Sequence, residues 1–425
     1  MLHKAILTNI LLTMTPLLFS PHCAAAEQPL EKQLSLRECI DIALENSSSV
    51  KRAGYALNLE GADILRSYGS FLPKLSFSTT YVPYSVSRSY TIPSGPGTGT
   101  EAEKLKSERE TLDLTLVTSL NIFNGFRDYS ALQAALKKEQ GAKLSVTRAR
   151  QAVAFDVTQN YYQVLLNQEM LAIARENLLT ARDQLKLSER QFQIGLKSLP
   201  DLYQQQAETA KSELNVNQAT EQVERSRLEL LRRLRIDPRT RISLEPLSRE
   251  KLAAEPMNLN RDTLIALAYR NRADLENRKL ETDAAKWQIR QAAASWYPKI
   301  DLNFNLSTSG IESLRQTYDG YTREFTYPPL SEQLENSVGY SFVLNLSWAI
   351  FDGFQTRYQV EQAKINHMNR MLDYSDLQSD IAIDIQQAIE EYRAAAAAIE
   401  SAKAGLKAAK AALPKIGRAS CRERV

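Results

Sequence analysis

Over most of the chain apolar residues recur every three or four positions, but in four stretches they recur every second one. Leu75, Phe77, Thr79 and Tyr81 alternate with Ser76, Ser78 and Thr80, and Leu112, Leu114, Leu116 and Leu120 alternate with Asp113, Thr115 and Ser119. Further on, Leu302, Phe304 and Leu306 alternate with Asp301, Asn303 and Asn305. Phe342, Leu344, Leu346 and Trp348 then alternate with Ser341, Asn345 and Ser347, with Val343 out of phase. A period of two predicts strands with one apolar and one polar face. The runs are about ten residues long, the length of a tilted membrane strand, so lipid outside and water inside is the expectation, with Phe304 facing lipid and Asn305 water. A soluble sheet with one wet face has the same pattern. The segments between paired strands, Ser85 to Arg109 and Gly310 to Asn336, hold Pro93, Gly95, Pro96, Gly97 and Gly99, and Pro328-Pro329, and are predicted to be long polar loops.

The helical stretches flank these strands. Ser35-Leu36-Arg37-Glu38 reads as a capping box, with Leu36, Cys39, Ile40 and Ala43 behind it at helical spacing. Its counterpart opens at Asp262 with Leu264, Ile265, Leu267 and Ala268, and both helices are predicted to run to Pro73 and Pro298. From Arg127 to Ile194 there is no Pro and a single Gly, Gly141, which predicts a helix roughly 100 Å long. Along it Val157, Val164, Leu171, Leu178, Leu185 and Phe192 recur by sevens, and Asn160, Asn167, Ala174, Ala181 and Ser188 keep the neighbouring seam small. Gly195 is the expected C-cap. Ser198 caps a returning helix with Pro200 in its first turn. In that helix Leu202, Thr209, Val216, Val223 and Leu230 again repeat by sevens, so an antiparallel hairpin ends at Asp237-Pro238.

Two short motifs occur twice. Phe71-Leu72-Pro73-Lys74-Leu75 reappears as Trp296-Tyr297-Pro298-Lys299-Ile300, an offset of 225, and Ile122-Phe123-Asn124-Gly125-Phe126 reappears as Ile350-Phe351-Asp352-Gly353-Phe354, an offset of 228. The plan is therefore a tandem repeat of helix, strand, strand, helix, over 27–250 and 251–415. By the second offset the first hairpin's end at Leu234 projects to position 462, so the second repeat is expected to stop short of its returning helix.

Composition narrows the classes. Gly and Pro number only 15 each in 425 residues, which suits long uninterrupted helices. No run of 18 apolar residues follows the N-terminus, so membrane entry would be by strands. Residues 1–26 read as an export signal, with Lys4, an apolar stretch from Ala5 to Phe19 and the small residues Ala24-Ala25-Ala26; Cys23 admits a lipoprotein alternative. Residues 416–425 break the Ala/Lys-rich pattern and look like the in-frame translation of a sequencing adapter. Without both segments the net charge of +3 falls to near zero, so nucleic acid is not an expected partner. Cys39 and His367 are then each alone, which leaves no intramolecular disulfide and no metal pair. With no phosphate loop and no nucleophile elbow, no catalytic residue, cofactor or metal is assigned and an enzyme is the poorest reading.

This order of features resembles the TolC-type outer-membrane efflux protein family across residues 35–415. The features that carry it are the Leu-Pro-Lys-Leu start of the first strand, the two Ile-Phe-Asn/Asp-Gly-Phe passages, and Phe192-Gln193-Ile194-Gly195-Leu196 at the hairpin tip. The resemblance implies an α+β membrane protein of the outer membrane. Four strands per chain would join a twelve-stranded β-barrel built by a homotrimer in outer-membrane lipid, and the coiled-coil helices would form an α-barrel in the periplasm. It further implies a passive channel of a tripartite efflux or type I secretion system. A periplasmic adaptor (membrane fusion) protein would couple it to an inner-membrane pump of the RND, ABC or MFS type. Carried over, Gly195, Leu196, Lys197 and Ser198 are the candidate adaptor contacts; where the family often has Arg before the tip aromatic, this chain has Gln191, with Arg190 one place earlier. The alternative from another class is a periplasmic coiled-coil scaffold without a pore, which explains the heptads but not the strands.

Overall fold

The computed structural model describes residues 32–91, 103–240, 242–246, 260–318 and 320–422. The expected signal segment 1–26, the loop around Pro93–Gly99, most of the connection between the repeats and residues 423–425 lie outside the described residues. The first half runs β1 (Lys32–Leu34), α1 (Leu36–Asn46), α2 (Ser48–Gly69), β2 (Lys74–Thr91), β3 (Glu103–Phe123), α3 (Arg127–Gln193), α4 (Leu199–Leu234) and β4 (Ile242–Leu244). The second half runs α5 (Arg261–Asn271), α6 (Ala273–Ala293), β5 (Lys299–Tyr318), β6 (Tyr321–Phe325), α7 (Leu330–Asn336), β7 (Gly339–Ser347) and α8 (Gln355–Arg422). The described residues form two compact units, one from those within 1–45 and 156–248 and the other from those within 46–155 and 249–425. The units do not coincide with the sequence repeats, because all the long strands join one sheet.

The first unit is a helical hairpin with a buttress. Val157, Val164 and Leu171 of α3 are buried, as are Asn167, Ala181 and Ser188 of the small-residue seam, opposite Leu202, Thr209 and Leu230 of α4. The small seam brings the backbones close enough for side chains to bond across it: Thr209 Oγ1 donates to Ala181 O at 3.4 Å and Asn167 Nδ2 to Gln222 O at 3.3 Å. At the hairpin's open end, α1 is capped by Ser35 and Glu38 as expected, Ser35 N donating to Glu38 Oε2 at 2.9 Å. Cys39 and Ala43 of α1 are wholly buried, as are Leu230, Leu231 and Leu234. Burial, with Glu38 nearby, pushes the Cys39 thiol up to about 11, which keeps it an inert hydrophobe. The periodicity did not reveal the parallel pair β1–β4, Lys32↔Ile242 to Leu34↔Leu244, which Tyr161 fastens by donating to Glu245 O at 3.0 Å.

In the second unit β2, β3, β5 and β7 form an antiparallel sheet in that order. Three expectations need correcting. First, the strands exceed ten residues: β2, β3 and β5 have 18, 21 and 20. Much of the two "polar loops" is strand, because Ser85–Thr91 pairs with Glu103–Arg109 and β5 continues through Gly310 to pair with β6. Cross-strand bonds such as Tyr84 OH to Glu108 Oε1, 2.8 Å, hold charged residues in the ladder without apolar alternation. Second, α7 occupies the gap on the edge of β5 between β7 and β6. Gln333 there stands in for a strand, its amide accepting from Ile311 N at 3.0 Å and donating to Ile311 O at 2.9 Å. Third, the entry helices are broken and short of Pro73 and Pro298. Ser47 caps a fresh start for α2, Arg272 marks the break between α5 and α6, and the helices end at Gly69 and Ala293. Arg272 forks onto Asp274 at 3.1 and 2.8 Å and reaches Asp384 of α8 at 3.2 Å, while Arg148 of α3 meets Asp274 at 3.3 Å. Burial opposes the charge on Asp274, but these guanidinium groups outweigh it and hold the carboxyl below its usual range.

Both strand-to-helix passages turn through two successive left-handed residues, Gly125 (φ 68°) with Phe126 (φ 65°) and Gly353 (φ 64°) with Phe354 (φ 68°). The side chains of Asn124 and Asp352 then accept from the helical amides of Asp128 (3.4 Å) and Thr356 (2.8 Å). A Cβ on Gly125 would press on the Ala294 carbonyl oxygen and lie 2.9 Å from Tyr297 Cβ, whereas one on Gly353 would meet nothing within 4 Å of its own chain. Gly125→Ala is therefore expected to destabilise the isolated chain by about 1–3 kcal/mol more than Gly353→Ala. Urea unfolding in detergent, read by tryptophan fluorescence, measures the difference.

Candidate channel wall and helical tip

The register sorts the sheet into two chemically different faces. Cross-strand partners share a face, and one face carries the rows Phe77, Leu116, Leu306, Tyr340 and Leu75, Thr118, Phe304, Phe342, followed by Leu120, Leu302, Leu344. The other carries Ser76, Val117, Asn305, Ser341 and Lys74, Ser119, Asn303, Val343, then Asn121, Asp301, Asn345. Phe304 and Asn305 thus lie on opposite faces. Val343, out of phase in the sequence, is a single apolar residue in a polar row. On the apolar face Leu75 and Phe342 are each 69% exposed, and Leu344 and Leu346 nearly as much. A continuous apolar surface across four strands far exceeds what a water-soluble protein leaves bare.

Exposed aromatic residues stand toward both ends of the strands. Tyr81, Tyr84 and Tyr340 stand toward the hairpin end, and Trp296, Trp348, Phe351 and Phe354 at the helix end, where Trp348 Nε1 donates to Trp296 O at 3.1 Å. Such girdles are where amphipathic rings meet a membrane interface. The polar face is hydrogen-bonded near its helix end: Asn121 Nδ2 donates to Asp301 Oδ1 at 2.8 Å and Lys299 pairs with Asp301 at 2.8 Å. A hollow of about 770 Å³ opens there, lined by Lys74, Asn121, Arg127, Asp301 and Asn303 among others.

At the far end of the hairpin, α3 stops in a Schellman turn. Leu196 N donates to Gln191 O at 2.8 Å and Gly195 N to Phe192 O at 2.9 Å, with Gly195 at φ 77°. Ser198 then caps α4 reciprocally with Asp201, its hydroxyl donating to Asp201 Oδ2 at 2.6 Å and its amide at 3.2 Å. These bonds hold the Asp201 carboxyl below its usual range. The four expected contact residues therefore divide into two kinds. Gly195 and Leu196 are displayed, Leu196 being 72% exposed, while Lys197 folds back to donate to Ser188 Oγ at 3.0 Å and Ser198 is spent on the cap. Ile194, as exposed as Leu196, and Leu199 extend the apolar tip; the Ile-Gly-Leu run was the available signal for Ile194. No cluster of His, Cys, Asp or Glu able to hold a metal occurs among the described residues.

The two-faced sheet, the long hairpin and the paired Gly-Phe turns all lie within residues 39–234 and 264–416, which match the model of a known family, the outer membrane efflux proteins. The chain belongs to the outer membrane efflux protein family. It is 25% identical over 338 residues to nodulation protein T of Rhizobium leguminosarum bv. viciae, covering 78% of this chain and 61% of that protein, so the chain spans about three fifths of that relative's length. The structure of CusC matches at a TM-score of 0.66 and 16% identity, over 84% of this chain and 75% of CusC. The Campylobacter jejuni CmeC outer membrane channel matches at 0.64 and 18%, over 80% of this chain and 67% of CmeC. At such identities these likenesses show the fold. Membership of this efflux protein family sets the protein in the outer membrane, with an extension into the periplasm.

Proposed function

We propose that the protein is one subunit of a passive trimeric duct that carries cargo out through the outer membrane. The observation that supports this most is the sheet itself, apolar and exposed on one face, polar on the other, with β2 and β7 each paired along one side only. Lipid tolerates no unpaired strand edge, so copies must join edges. Two copies would give eight strands, a barrel filled by its own side chains, and three give twelve, wide enough to leave water inside. Three is also the number the family resemblance implies. The tandem helix-strand-strand-helix repeat supplies the four strands, and the heptad helices continue the duct into the periplasm.

The duct has no energy source of its own. In our reading a periplasmic adaptor couples it to an inner-membrane pump of the RND, ABC or MFS type, for efflux or type I secretion. The hairpin tip at Gly195, Leu196, Lys197 and Ser198 is the docking point, with Gly195 and Leu196 offering the bare apolar surface and Lys197 and Ser198 shaping it. A pore-free periplasmic scaffold would leave the apolar sheet face without a covering.

Phe304→Arg is expected to cost about 2–4 kcal/mol and to block assembly if the residue sits near mid-membrane, while Asn305→Arg assembles and alters single-channel conductance; equal tolerance of the two would reverse or abolish the facing. At the tip, Gly195→Val and Leu196→Asp are each expected to leave the protein in the membrane yet abolish export and adaptor crosslinking. The first acts through the φ 77° turn, the second through lost apolar contact. Normal export by both variants would move the docking point elsewhere.

A further inference from the structure

Beyond Tyr81 and Tyr84 the sheet continues as a charged hairpin that keeps the same two faces. The register irregularities there add a residue to β2 between Val82 and Ser85 and to β5 between Ile311 and Ser313, and none to β3. β3 therefore alternates unbroken from Leu116 through Leu112 to Lys104, and Glu110, Glu108, Lys106 and Lys104 lie on the face that is apolar lower down. Tyr81 and Tyr84 share that face, donating to Glu110 and Glu108.

One row of this hairpin has its charges mismatched. Arg88 stands directly opposite Lys106, and in the next row Tyr90 stands opposite Lys104. The adjoining row reads Glu108, Arg315, Glu324, alternating in sign, with Arg315 Nη2 donating to Glu324 Oε1 at 2.6 Å. Like charges directly opposite on antiparallel strands are destabilising. Lys106 is partly neutralised by Glu108 at 2.6 Å, but neither Arg88 nor Lys104 has an ion pair among the described residues. The three cations border a hollow of about 660 Å³ with Tyr90 and Thr317.

We propose that Arg88, Lys104 and Lys106 bind the phosphate of a phosphorylated saccharide carried by an outer-leaflet glycolipid. The site rests on the reading of the sheet as a membrane wall. Its charge calls for an anion, and its height selects which one. Lys106 lies six residues beyond Leu112, the partner of Tyr81. At about 3.4 Å per residue and a tilt of about 45°, that raises it about 14 Å above their row. Ordinary phospholipid head groups fill only about 5–8 Å beyond the hydrocarbon, so their phosphates fall short, while a phosphorylated sugar core reaches the site. The Arg88 guanidinium can take two phosphate oxygens at once, and the lysines supply point charges. Tyr90, 70% exposed, offers an amphipathic ring beside the sugar.

Binding of a fluorescently labelled rough-type lipopolysaccharide, which carries a phosphorylated inner core, tests this on the full chain purified in detergent. Arg88→Glu removes the site while giving Lys106 an opposite charge across the strands. Arg109→Glu makes the same charge change on the other face, opposite Ser85 and Leu314. The expected result is binding weakened at least tenfold by Arg88→Glu, and as much by enzymatic dephosphorylation of the glycolipid, with Arg109→Glu unchanged. Equal binding by Arg88→Glu, or equal binding of the dephosphorylated glycolipid, overturns the site. Displacement by inorganic phosphate at equal concentration overturns the assignment to a lipid-borne group. The same preparations are reconstituted into phosphatidylcholine vesicles and washed with alkaline carbonate. Unmodified protein that washes off overturns the membrane-wall reading and the site with it; protein that stays while the binding result fails overturns the site alone.

Discussion

In lipid every strand N–H and C=O must find its partner in protein, and that requirement organises the sheet. β3 and β5 meet it on both sides, and where β5 loses β7 as a neighbour the side chain of Gln333 completes the ladder at Ile311. β2 and β7 meet it on one side only. Within the four-stranded sheet the same two strands show the most exposed apolar residues, from Leu75 and Phe77 to Phe342 and Leu346. One solution, the proposed ring of copies, serves both the unpaired backbone and the bare apolar face.

The helices follow from how the strands end. Each exit from the sheet turns sharply through a left-handed Gly-Phe pair and is capped at once by Asn124 or Asp352, so the next helix begins in a fixed direction. A phenylalanine at positive φ is strained. Its edge-to-face contact with the phenylalanine three residues earlier recurs in both passages and offsets part of that strain. Beyond the exit, α3 keeps one heptad seam apolar and the next one small, so that α4 packs close along it. The arm ends at Gly195 and Leu196, which are displayed, while Lys197 is drawn back to Ser188 and the exposed Ser198 serves as the cap of α4.

Which parts were legible depended on whether a periodic face is buried. The heptads of α3 and α4 and the alternation around Phe77, Leu116, Phe304 and Leu344 report directly on two-sided environments, and those elements lie where the pattern puts them. Past Ser85 and before Arg109 both faces of the hairpin are polar. The strands persist there on backbone pairing and Tyr–Glu bonds, which leave no period to read. The breaks at Ser47 and Arg272 involve neither Gly nor Pro, and Arg272 is held by Asp274 and Asp384, the second more than 100 residues away. The β1–β4 pair is three residues long and joins segments some 200 residues apart, too short and too distant for any local signal. At the tip, Gly195 announced its turn, but the diversion of Lys197 to Ser188 depends on a side chain one helix turn and more behind it.

The central claim is that this sheet stands in lipid with one face dry and the other wet. Spin labels attached singly to cysteines introduced at residues 302–307 of β5, in protein reconstituted into vesicles, test it most directly. The account predicts that accessibility to molecular oxygen, which partitions into lipid, peaks at residues 302, 304 and 306. Accessibility to a water-soluble nickel complex should peak at 303, 305 and 307, in step with the two faces of the register. Labels equally accessible to the nickel complex at all six positions would contradict it.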